Sequence, residues 1–318
     1  MSRRVAVIGA GIAGLVAARR LKRSGADVTL FEKSRGVGGR MATRRIDDLQ
    51  FDHGAQYFTA TGDAFNALVE QWRTAGQVAE WFDGAFVGTP RMTAPTRALA
   101  EGHQIVGGCQ VTLLQRDSDG WSVHSADGLI ETPGNGAFCA VILAVPAPQA
   151  VPLIAAAGAH LPGLQAVRYA PCWALMLAFA EPLGARADRI QPHDDVIAWI
   201  VRDSGKPGRP DVETFVIHAS PEWSRAHLEW PADAVASAML ARFRGIVGVS
   251  ADPSFFAAHR WRYALVEQAA GSAFLWDGRA RIGACGDWCL GPGVETAFES
   301  GDALGDAVVQ DLETGLVV

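Results

Sequence analysis

The sequence predicts an α/β protein of two domains, in which the two ends of the chain together build a parallel sheet covered by helices. Three observations predict this fold class. A short apolar run, Val5–Ile8, is followed at once by a glycine-rich turn and an apolar helix. A second short apolar run, Ala280–Ala284, precedes a closing helix predicted over Thr296–Leu312. Between them, from Leu153 to about Arg262, strand-like runs and half of the tryptophans indicate a separate cap.

The N-terminal turn Gly9–Gly14 has the form Gly-x-Gly-x-x-Gly between a predicted strand and a predicted helix. Gly9 permits the tight turn, Gly11 lets the backbone approach a pyrophosphate, and Gly14 lets helix and strand pack closely. Glu32 follows Gly14 by 18 residues and closes the second predicted strand, where a carboxylate accepts hydrogen bonds from ribose hydroxyls. This context favours a Rossmann-type dinucleotide site over a structural glycine turn or a signal peptide.

A second nucleotide-binding segment is predicted near the C-terminus. Gly286-Asp287 follows the strand Ala280–Ala284, and a carboxylate there can accept hydrogen bonds from ribityl hydroxyls. Backbone amides of Val294–Ala297, at a helix N-terminus, can face the pyrimidine end of a flavin with the positive end of the helix dipole. The first motif alone allows NAD or FAD. The two-ended pattern favours FAD, held along its whole length.

Two further segments carry candidate contacts. In the loop Gly38-Gly39-Arg40, the glycines allow close approach and Arg40 can pair with phosphate, the alternative being a solvated surface loop. In the segment Asp52–Phe58, Gly54 could let the backbone approach a flat ring, Gln56 could bond a flavin edge, and Tyr57 or Phe58 could line the substrate side. Core packing is the alternative for this second segment, and His53 within it is expected to be structural.

The predicted contacts extend over the whole chain. The cofactor contacts are Gly9, Gly11, Ile12, Ala13, Gly14, Glu32, Lys33, Gly39, Arg40, Gly54, Ala55, Gln56, Tyr57, Val111, Gly286, Asp287, Val294, Glu295 and Ala297. The substrate contacts are Tyr57, Trp199 and Trp288, and no residue is assigned to acid–base catalysis. The segment His259–Tyr263 either contacts a substrate phosphate or is a solvated basic stretch.

The domain assignment follows from these segments. Residues 1–60, 88–150 and 264–318 are expected to form a discontinuous FAD-binding domain, and residues 61–87 and 151–263 a substrate domain. The substrate domain is expected to be α+β with a mixed or antiparallel sheet. Asp63–Trp81 is predicted to form one or two helices.

Composition excludes several functional classes. The net charge of −6 argues against a nucleic-acid partner, and no apolar run reaches the roughly 18 residues of a membrane span. Five cysteines without a CxxC pair predict free thiols and a cytoplasmic location. Cys285 and Cys289 could form half a metal site, but no second pair has ligand spacing, so no metal is expected.

Together these residues resemble the flavin-dependent amine oxidase superfamily and, within it, the renalase family, especially its bacterial members. The matching motifs are Gly9–Gly14, Gly38-Gly39-Arg40, Phe51–Phe58, Gly88-Thr89-Pro90 with Met92, Pro146–Ala150, Ala198-Trp199 with Lys206–Arg209, Trp223-Ser224, Ala258–Trp261 and Gly286–Cys289. The resemblance implies non-covalent FAD, a two-domain fold and a dihydronicotinamide dinucleotide as substrate. Family members oxidise the 2- and 6-dihydro isomers of NAD(P) to NAD(P)⁺, and dioxygen as acceptor gives hydrogen peroxide.

The local chemistry agrees with this expectation. Oxidation of a dihydronicotinamide is a hydride transfer to flavin N5, which needs two flat rings in contact and no acid or base. Amine oxidases commonly place a lysine near flavin N5, and none of Lys22, Lys33 and Lys206 is expected there. His53 and Pro292 depart from the renalase pattern and leave the details of the pocket open. The alternatives are an amine oxidase or desaturase of a small molecule, and a non-catalytic flavin-binding redox sensor.

Overall fold

The structure is a computed structural model that describes residues 3–133, 136–184 and 187–314. Its strands, in chain order, are β1 Arg4–Ile8, β2 Asp27–Glu32, β3 Arg44–Ile46, β4 Leu49–Phe51, β5 Val78–Phe82, β6 Ala85–Gly88, β7 Gln104–Gly107, β8 Leu113–Arg116, β9 Trp121–Ser125, β10 Gly128–Leu129, β11 Ala140–Leu143, β12 Arg168–Phe179, β13 Arg189–Ile190, β14 Ile197–Arg202, β15 Glu213–Ala219, β16 Phe255–Gln268, β17 Leu275–Asp277 and β18 Ile282–Ala284.

The helices are α1 Ile12–Arg23, α2 Asp63–Thr74, α3 Ala94–Ala100, α4 Ala147–Ala156, α5 Pro221–Ala226, α6 Ala232–Val247, α7 Asp287–Leu290 and α8 Val294–Thr314. Short 3₁₀ turns cover Gly39–Met41, Leu164–Ala166 and Asp203–Gly205. Among the described residues, none of these helices is both long enough and apolar enough to cross a membrane.

The two ends of the chain meet in one six-stranded sheet with the order β17-β18-β11-β1-β2-β7. Strand β1 pairs in parallel with both β2 and β11, and β11 pairs in parallel with β18. Only β17 runs antiparallel, against β18. Apolar side chains cover both faces of this sheet, which explains why its central strands are apolar without alternation. The predicted α/β fold with a discontinuous nucleotide-binding part is therefore confirmed.

Helices α1 and α8 pack against each other through glycine. A Cβ atom on Gly301 would lie 2.2 Å from the carbonyl oxygen of Ala13, and one on Gly305 would lie 2.8 Å from Cβ of Arg20. These contacts advance in the same direction along both helices, so the helices run parallel. Their N-termini consequently point to the same edge of the sheet, where the carboxyl ends of β1, β2 and β11 also lie.

The second large sheet, here named the cap sheet, has five strands in the order β13-β14-β15-β12-β16, all antiparallel. Its outer face bears Leu175, Phe215 and Ile217, which pack with Phe243 of α6. Its inner face bears Met176 and other residues that pack on Phe51 of β4. Alternation along each strand therefore separates a helix-covered face from one turned toward the first 60 residues.

The prediction of helix over Asp63–Trp81 is wrong in its second half. The helix ends at Thr74, and Val78–Phe82 forms strand β5, which pairs with β6 as a small hairpin. Helix α2 packs through Phe65 and Trp72 into the same core as the first sheet. The domain boundaries assigned from sequence remain a prediction.

Candidate functional site

The Gly9–Gly14 turn has the geometry that its pattern predicted. Gly9 has a φ of +106°, and a Cβ atom there would lie 2.4 Å from the carbonyl oxygen of Ala144. A Cβ atom on Gly14 would lie 2.1 Å from the carbonyl oxygen of Gly9, so α1 and the turn can touch only through glycine. A Cβ atom on Gly11 would meet no atom within 4 Å. Gly11 therefore faces open space, beside the amides of the first turn of α1.

Glu32 ends β2 at the sheet edge that carries this turn. Its two carboxylate oxygens accept the backbone N–H groups of Ala10, at 2.9 Å, and Ser34, at 2.8 Å. An ionised carboxylate accepts about four hydrogen bonds, so capacity remains for ribose hydroxyls. Cys109 N–H donates to the Glu32 carbonyl oxygen, and this contact brings Val111 to the same edge. Lys33, next in the chain, is exposed.

Arg40 and Asp287 join the two predicted segments directly. Two guanidinium N–H groups of Arg40 donate to the two oxygens of Asp287 at 2.6 and 2.7 Å, and a third donates to the Ala264 carbonyl oxygen at 3.1 Å. Burial works against the charge of Arg40, but the Asp287 carboxylate outweighs it and the pKa of Arg40 is raised. Gly39 lies on the turn as well, because its Cβ position is 3.4 Å from Cα of Gly11.

Gly54 has a different role from the one that its sequence suggested. A Cβ atom there would lie 2.0 Å from the carbonyl oxygen of Arg40, and the N–H of Ala55 donates to that same oxygen at 2.8 Å. Glycine at this position thus lets the segment cross the Arg40 backbone. The direction in which a side chain would extend is filled by the Arg40 backbone, which accounts for the glycine without a flat ring.

Gln56 is buried and its amide is held by the protein at both ends. Its nitrogen donates to the carbonyl oxygens of Asp52 and Gly54, and its oxygen accepts from Lys206 Nζ at 3.1 Å. The amide nitrogen also lies 3.3 Å from Nε2 of His218, on strand β15 of the cap sheet. In this arrangement Gln56 connects the N-terminal segment to the cap.

Lys206 belongs to a buried cluster of two cations and two carboxylates, formed with Arg209, Asp52 and Asp203. Lys206 Nζ lies 2.6 Å from Asp203 and 3.5 Å from Asp52, and with the bond to Gln56 its three donors are occupied. Burial opposes the ionisation of Asp52, but Lys206 and Arg209 lower its pKa to about 2. Burial and the nearby Asp52 charge raise the pKa of Asp203.

The inner face of the cap sheet carries a row of rings. Trp199 stands opposite His218, and Ala174 pairs with both His218 and His259. Burial is the main cause that lowers the pKa of His218 and of His259 to about 4, so both imidazoles are neutral near pH 7. The indole N–H of Trp199 is buried and has no hydrogen-bond partner among the described residues.

His53 and Trp261 extend this ring cluster. The His53 ring centroid lies 4.7 Å from that of His259 and 5.0 Å from that of Trp261, whose indole N–H donates to the His53 carbonyl oxygen at 2.9 Å. Burial, and then the neighbouring His259, lower the pKa of His53 to about 3. These partners agree with the structural role expected for His53.

The segment His259–Tyr263 lies within β16, and strand alternation separates its residues. Arg260 and Arg262 both pair with Glu229, at 3.0 and 2.6 Å. Arg260 pairs in register with Trp173, on the outer face. The two arginines of this segment are therefore neutralised by Glu229 away from the inner face, and His259 and Trp261 lie on the inner face.

Tyr57 is 37% exposed and meets Phe82 of β5 edge to face, with ring centroids 5.1 Å apart. Its exposure suits the substrate side that the sequence predicted. Trp288 differs, since it is 1% exposed, packs in a core of the six-stranded sheet, and donates its indole N–H to the Val145 carbonyl oxygen at 3.1 Å. A ring surrounded by protein offers no surface to a substrate, so Trp288 is a core residue.

The N-terminus of α8 is tied to the chain around Thr61. The Glu295 carboxylate accepts the N–H groups of Thr61 and Gly62 and the hydroxyl of Thr61, at 2.6 to 3.1 Å. These bonds place Glu295 at the start of α2, a contact that the sequence pattern did not indicate. Val294 begins α8, and the amides of its first three residues have no acceptor within the helix, whereas the N–H of Ala297 donates to the Gly293 carbonyl oxygen at 3.3 Å.

Several residues of this region were missed by sequence reasoning. They are Tyr169, Phe82, Arg189, His218, Asp203 and Arg209. Tyr169 lies near the Arg40–Asp287 pair, and burial followed by the Asp287 charge raises the pKa of its hydroxyl. For the four that lie in strands the sequence signal is alternation, which cannot identify the partner face, whereas Asp203 and Arg209 lie in the segment between β14 and β15.

The two thiols that could form half a metal site lie in the core. Cys285 and Cys289 are buried and free, and burial is the main cause that raises the pKa of Cys289 to about 12. Across residues 3–133, 136–184 and 187–314, no group of three or more His, Cys, Asp and Glu side chains is placed to hold a metal ion.

The site has the features that a dinucleotide cofactor needs. Two parallel helices point their positive N-terminal ends at one sheet edge, and the Cβ position of Gly11, beside the Gly39 loop, faces open space. Glu32 stands at one end of this edge, and the Arg40–Asp287 pair links its other two segments. The donors, acceptors and glycine contacts therefore fit FAD.

Comparisons with known proteins match two family models to this chain. Residues 7–72 match a model described as NAD(P)-binding Rossmann-like domain, and residues 78–304, more than half of the chain, match one described as flavin containing amine oxidoreductase. A 4,4'-diapophytoene desaturase of Staphylococcus aureus (strain Newman) is 37% identical over 113 residues. That alignment covers 32% of this chain and 22% of the desaturase, so the matched segment is about a fifth of that relative.

Solved structures share the fold along the whole chain. A putative protoporphyrinogen oxidase from Exiguobacterium sp. 255-15 superposes with a TM-score of 0.77 at 14% identity, over 98% of this chain and 99% of that one. Cyclohexylamine oxidase from Brevibacterium oxydans IH-35A gives a TM-score of 0.70 at 13% identity, over 98% and 100% of the two chains. Wild-type putrescine oxidase gives 0.68 at 15% identity, over 98% and 99%. At these identities the likeness establishes the fold alone.

The geometry and the family models agree. The structure has a Rossmann-like turn and a nucleotide-binding edge built from both ends of the chain, and the matched models describe the same kind of protein. The chain therefore belongs to the flavin-containing amine oxidoreductase family, with FAD as its cofactor.

Proposed function

We propose that the protein is a renalase-type oxidase, which oxidises the 2- and 6-dihydro isomers of NAD(P) to NAD(P)⁺. When bound, FAD would accept a hydride at N5 from the dihydronicotinamide ring, and dioxygen would take up the two electrons with two protons to give hydrogen peroxide. The protein's task is to hold the substrate ring flat against the cofactor and to exclude water.

One observation carries this proposal. In the described part of the chain, the surfaces beside the predicted flavin end present rings and neutral imidazoles, namely Tyr57, Trp199, His218 and His259, while the nearby charges of Lys206, Asp52 and Asp203 are buried and paired with one another. Such a site suits a reaction whose driving force is the aromaticity gained by the substrate. Proton abstraction is disfavoured there, because neutral imidazoles whose pKa values are lowered to about 4 are weak bases near pH 7.

The cofactor contacts support the same orientation. Glu32 would hold the adenosine ribose, and the Gly9–Gly14 turn the pyrophosphate. Arg40 has five N–H donors and three are used by Asp287 and Ala264, so two are left for a phosphate. Asp287 would receive the ribityl hydroxyls, and the amides of the first turn of α8 would face the flavin ring.

Lys206 is central to the comparison with amine oxidases. Its position in a loop suggested that it is remote from the site. The structure instead places Nζ of Lys206 3.1 Å from Oε1 of Gln56. However, its three donors already have acceptors, and its side chain is fully buried. A lysine held in this way is not free to activate a water or to bind a substrate. The contact favours a structural role for Lys206. Oxidation of a dihydronicotinamide therefore remains preferred over amine oxidation.

Anaerobic mixing of the FAD-loaded protein with a short substrate panel tests the proposal. We expect rapid loss of the oxidised flavin absorbance with 2- or 6-dihydro-NAD, and recovery with formation of hydrogen peroxide when air is admitted. Fast reduction by amines such as putrescine, with none by the dihydro isomers, would establish an amine oxidase instead. No multiple turnover with any of these compounds would favour a redox sensor.

A further inference from the structure

The edge of the cap sheet presents, beside Tyr57, an arginine that has no carboxylate partner among the described residues. Arg189 is exposed on the two-residue strand β13, and its guanidinium lies over the Phe82 ring, 3.7 Å from the ring centroid. Phe82 in turn meets Tyr57 edge to face. The cation, Phe82 and Tyr57 thus form one continuous contact, here named the Arg189 stack.

The register of the cap sheet places Arg189 on the inner face. Arg189 pairs with Val201, and Val201 pairs with Val216, which packs on Phe51 in the inner cluster. Residues opposite each other in an antiparallel pair share a face. Trp199 lies on the same face two residues before Val201, so its side chain is a diagonal neighbour of Arg189, roughly 7–8 Å away.

The charge of Arg189 is uncompensated in the described part of the chain. Among residues 3–133, 136–184 and 187–314, no carboxylate lies within ion-pair distance of its guanidinium, although its neighbour Asp188 pairs with Arg202 at 3.3 Å. Three other arginines of the cap do have carboxylate partners. Arg260 and Arg262 share Glu229, and Arg242 pairs with Asp194.

We propose that Arg189 binds the pyrophosphate of the dinucleotide substrate and so selects dinucleotides over truncated dihydronicotinamides. This inference rests on the proposed function. If the dihydronicotinamide ring lies between Tyr57 and Trp199, its ribose points outward. The pyrophosphate, which follows the ribose, would then lie toward the sheet edge that bears Arg189. Stacking on Phe82 pre-orients the planar guanidinium, whose edge N–H groups remain available for a phosphate. A protein of net charge −6 also needs a local cation to attract an anionic substrate.

Steady-state kinetics with two substrates tests this inference. FAD-loaded wild type and Arg189→Gln are compared on 6-dihydro-NAD and on reduced nicotinamide riboside of the same isomeric form, which lacks phosphate. For the variant we expect kcat/KM on the dinucleotide to fall about tenfold or more, with kcat/KM on the riboside unchanged. Arg189→Lys is expected to recover part of the loss, because it restores the charge without the fork.

Arg116→Gln is the matched control, because Arg116 also lies over an aromatic ring, that of Trp121, but on a different sheet. It should leave both substrates unaffected. Equal losses on both substrates for Arg189→Gln, or no loss on either, would overturn the assignment. If the wild type oxidises neither substrate, the proposed function itself is wrong, and the ligand assigned to Arg189 falls with it.

Discussion

Glu32 illustrates how one side chain can serve both the fold and the ligand. Its carboxylate accepts two backbone N–H groups, from Ala10 and Ser34, and so fixes the start of the turn and the exit of β2. The sequence pattern indicated only the ligand role. The two roles can be separated by experiment, because the backbone hydrogen bonds form without FAD, whereas the ribose contact requires it.

We expect Glu32→Ala to lower both FAD retention and the stability of the apoprotein. Each buried N–H left without an acceptor costs about 1–3 kcal/mol, and the ribose contact is lost as well. The measurements are the flavin-to-protein absorbance ratio after purification and urea unfolding of the apoprotein. Glu101→Ala, at an exposed position, is the control. Unchanged flavin content in Glu32→Ala would remove Glu32 from the cofactor site.

The buried histidines predict a loss of stability in acid. The pKa values of His53, His218 and His259 are lowered to about 3, 4 and 4, whereas an unfolded histidine titrates near 6.5. Between about pH 6.5 and pH 4 the unfolded state therefore binds more protons than the folded state. The free energy of unfolding should fall, as pH decreases, by about 1.4 kcal/mol per pH unit for each such histidine.

Urea unfolding at several pH values checks this expectation. His218→Gln should reduce the pH dependence of the unfolding free energy by the equivalent of about one proton between about pH 6.5 and pH 4. His160→Gln, at an exposed position, should leave this pH dependence unchanged. A slope that is the same in wild type and His218→Gln would mean that His218 titrates normally.

At the scale of elements, the parallel contact of α1 and α8 positions both ends of the nucleotide site. Gly301 and Gly305 allow the contact, since a side chain at either would meet the backbone or the Arg20 stem of α1. The predicted closing helix was correct within two residues at each end. Its partner could not be foreseen, because the glycines on its face carry no information about which surface they meet.

We expect Gly301→Ala to destabilise the protein by about 1–3 kcal/mol and to weaken FAD binding, because the added Cβ forces the two helix N-termini apart. Gly245→Ala in α6 is the matched control, since a Cβ there would meet nothing within 4 Å. That control should be neutral or more stable by about 0.5–1 kcal/mol. Thermal unfolding and flavin titration measure both effects. Equal stability of the two variants would contradict the close helix packing.

At the scale of the whole molecule, the buried four-charge cluster joins the N-terminal segment to the cap. Asp52 belongs to the segment that crosses the Arg40 loop, whereas Lys206 and Arg209 follow β14 in the cap. A buried ion pair adds little net stability, but removing one partner leaves a buried charge without compensation. The cluster therefore fixes how the cap sits on the nucleotide-binding part.

Lys206→Met should cost about 3–5 kcal/mol of unfolding free energy, because Asp203 loses its closest cation. Lys22→Met, on the surface of α1, should change it by less than about 0.5 kcal/mol. Urea unfolding of both variants checks the difference. A small effect at Lys206 would mean that the cluster is hydrated or neutral in solution.

The sequence alone determined the features that depend on local order. The strand–turn–helix of Val5 to Arg23, the acidic end of β2, the strand before Gly286 and the closing helix follow from apolar periodicity and glycine spacing, which act within a few residues. They were sufficient to predict the α/β fold and FAD. They failed at Val78–Phe82, where pairing with β6 outweighs helical periodicity.

Only the tertiary structure decided which residues from distant parts of the chain contact one another. Arg40 and Asp287 are 247 residues apart in the chain yet share two hydrogen bonds, and Trp288, next to Asp287, turns into the core instead of the site. Gln56 meets Lys206 and His218 because the cap sheet folds over its segment. The physical reason is that strand alternation defines two faces but not their partners. Which face becomes a site depends on long-range pairing that no local pattern encodes.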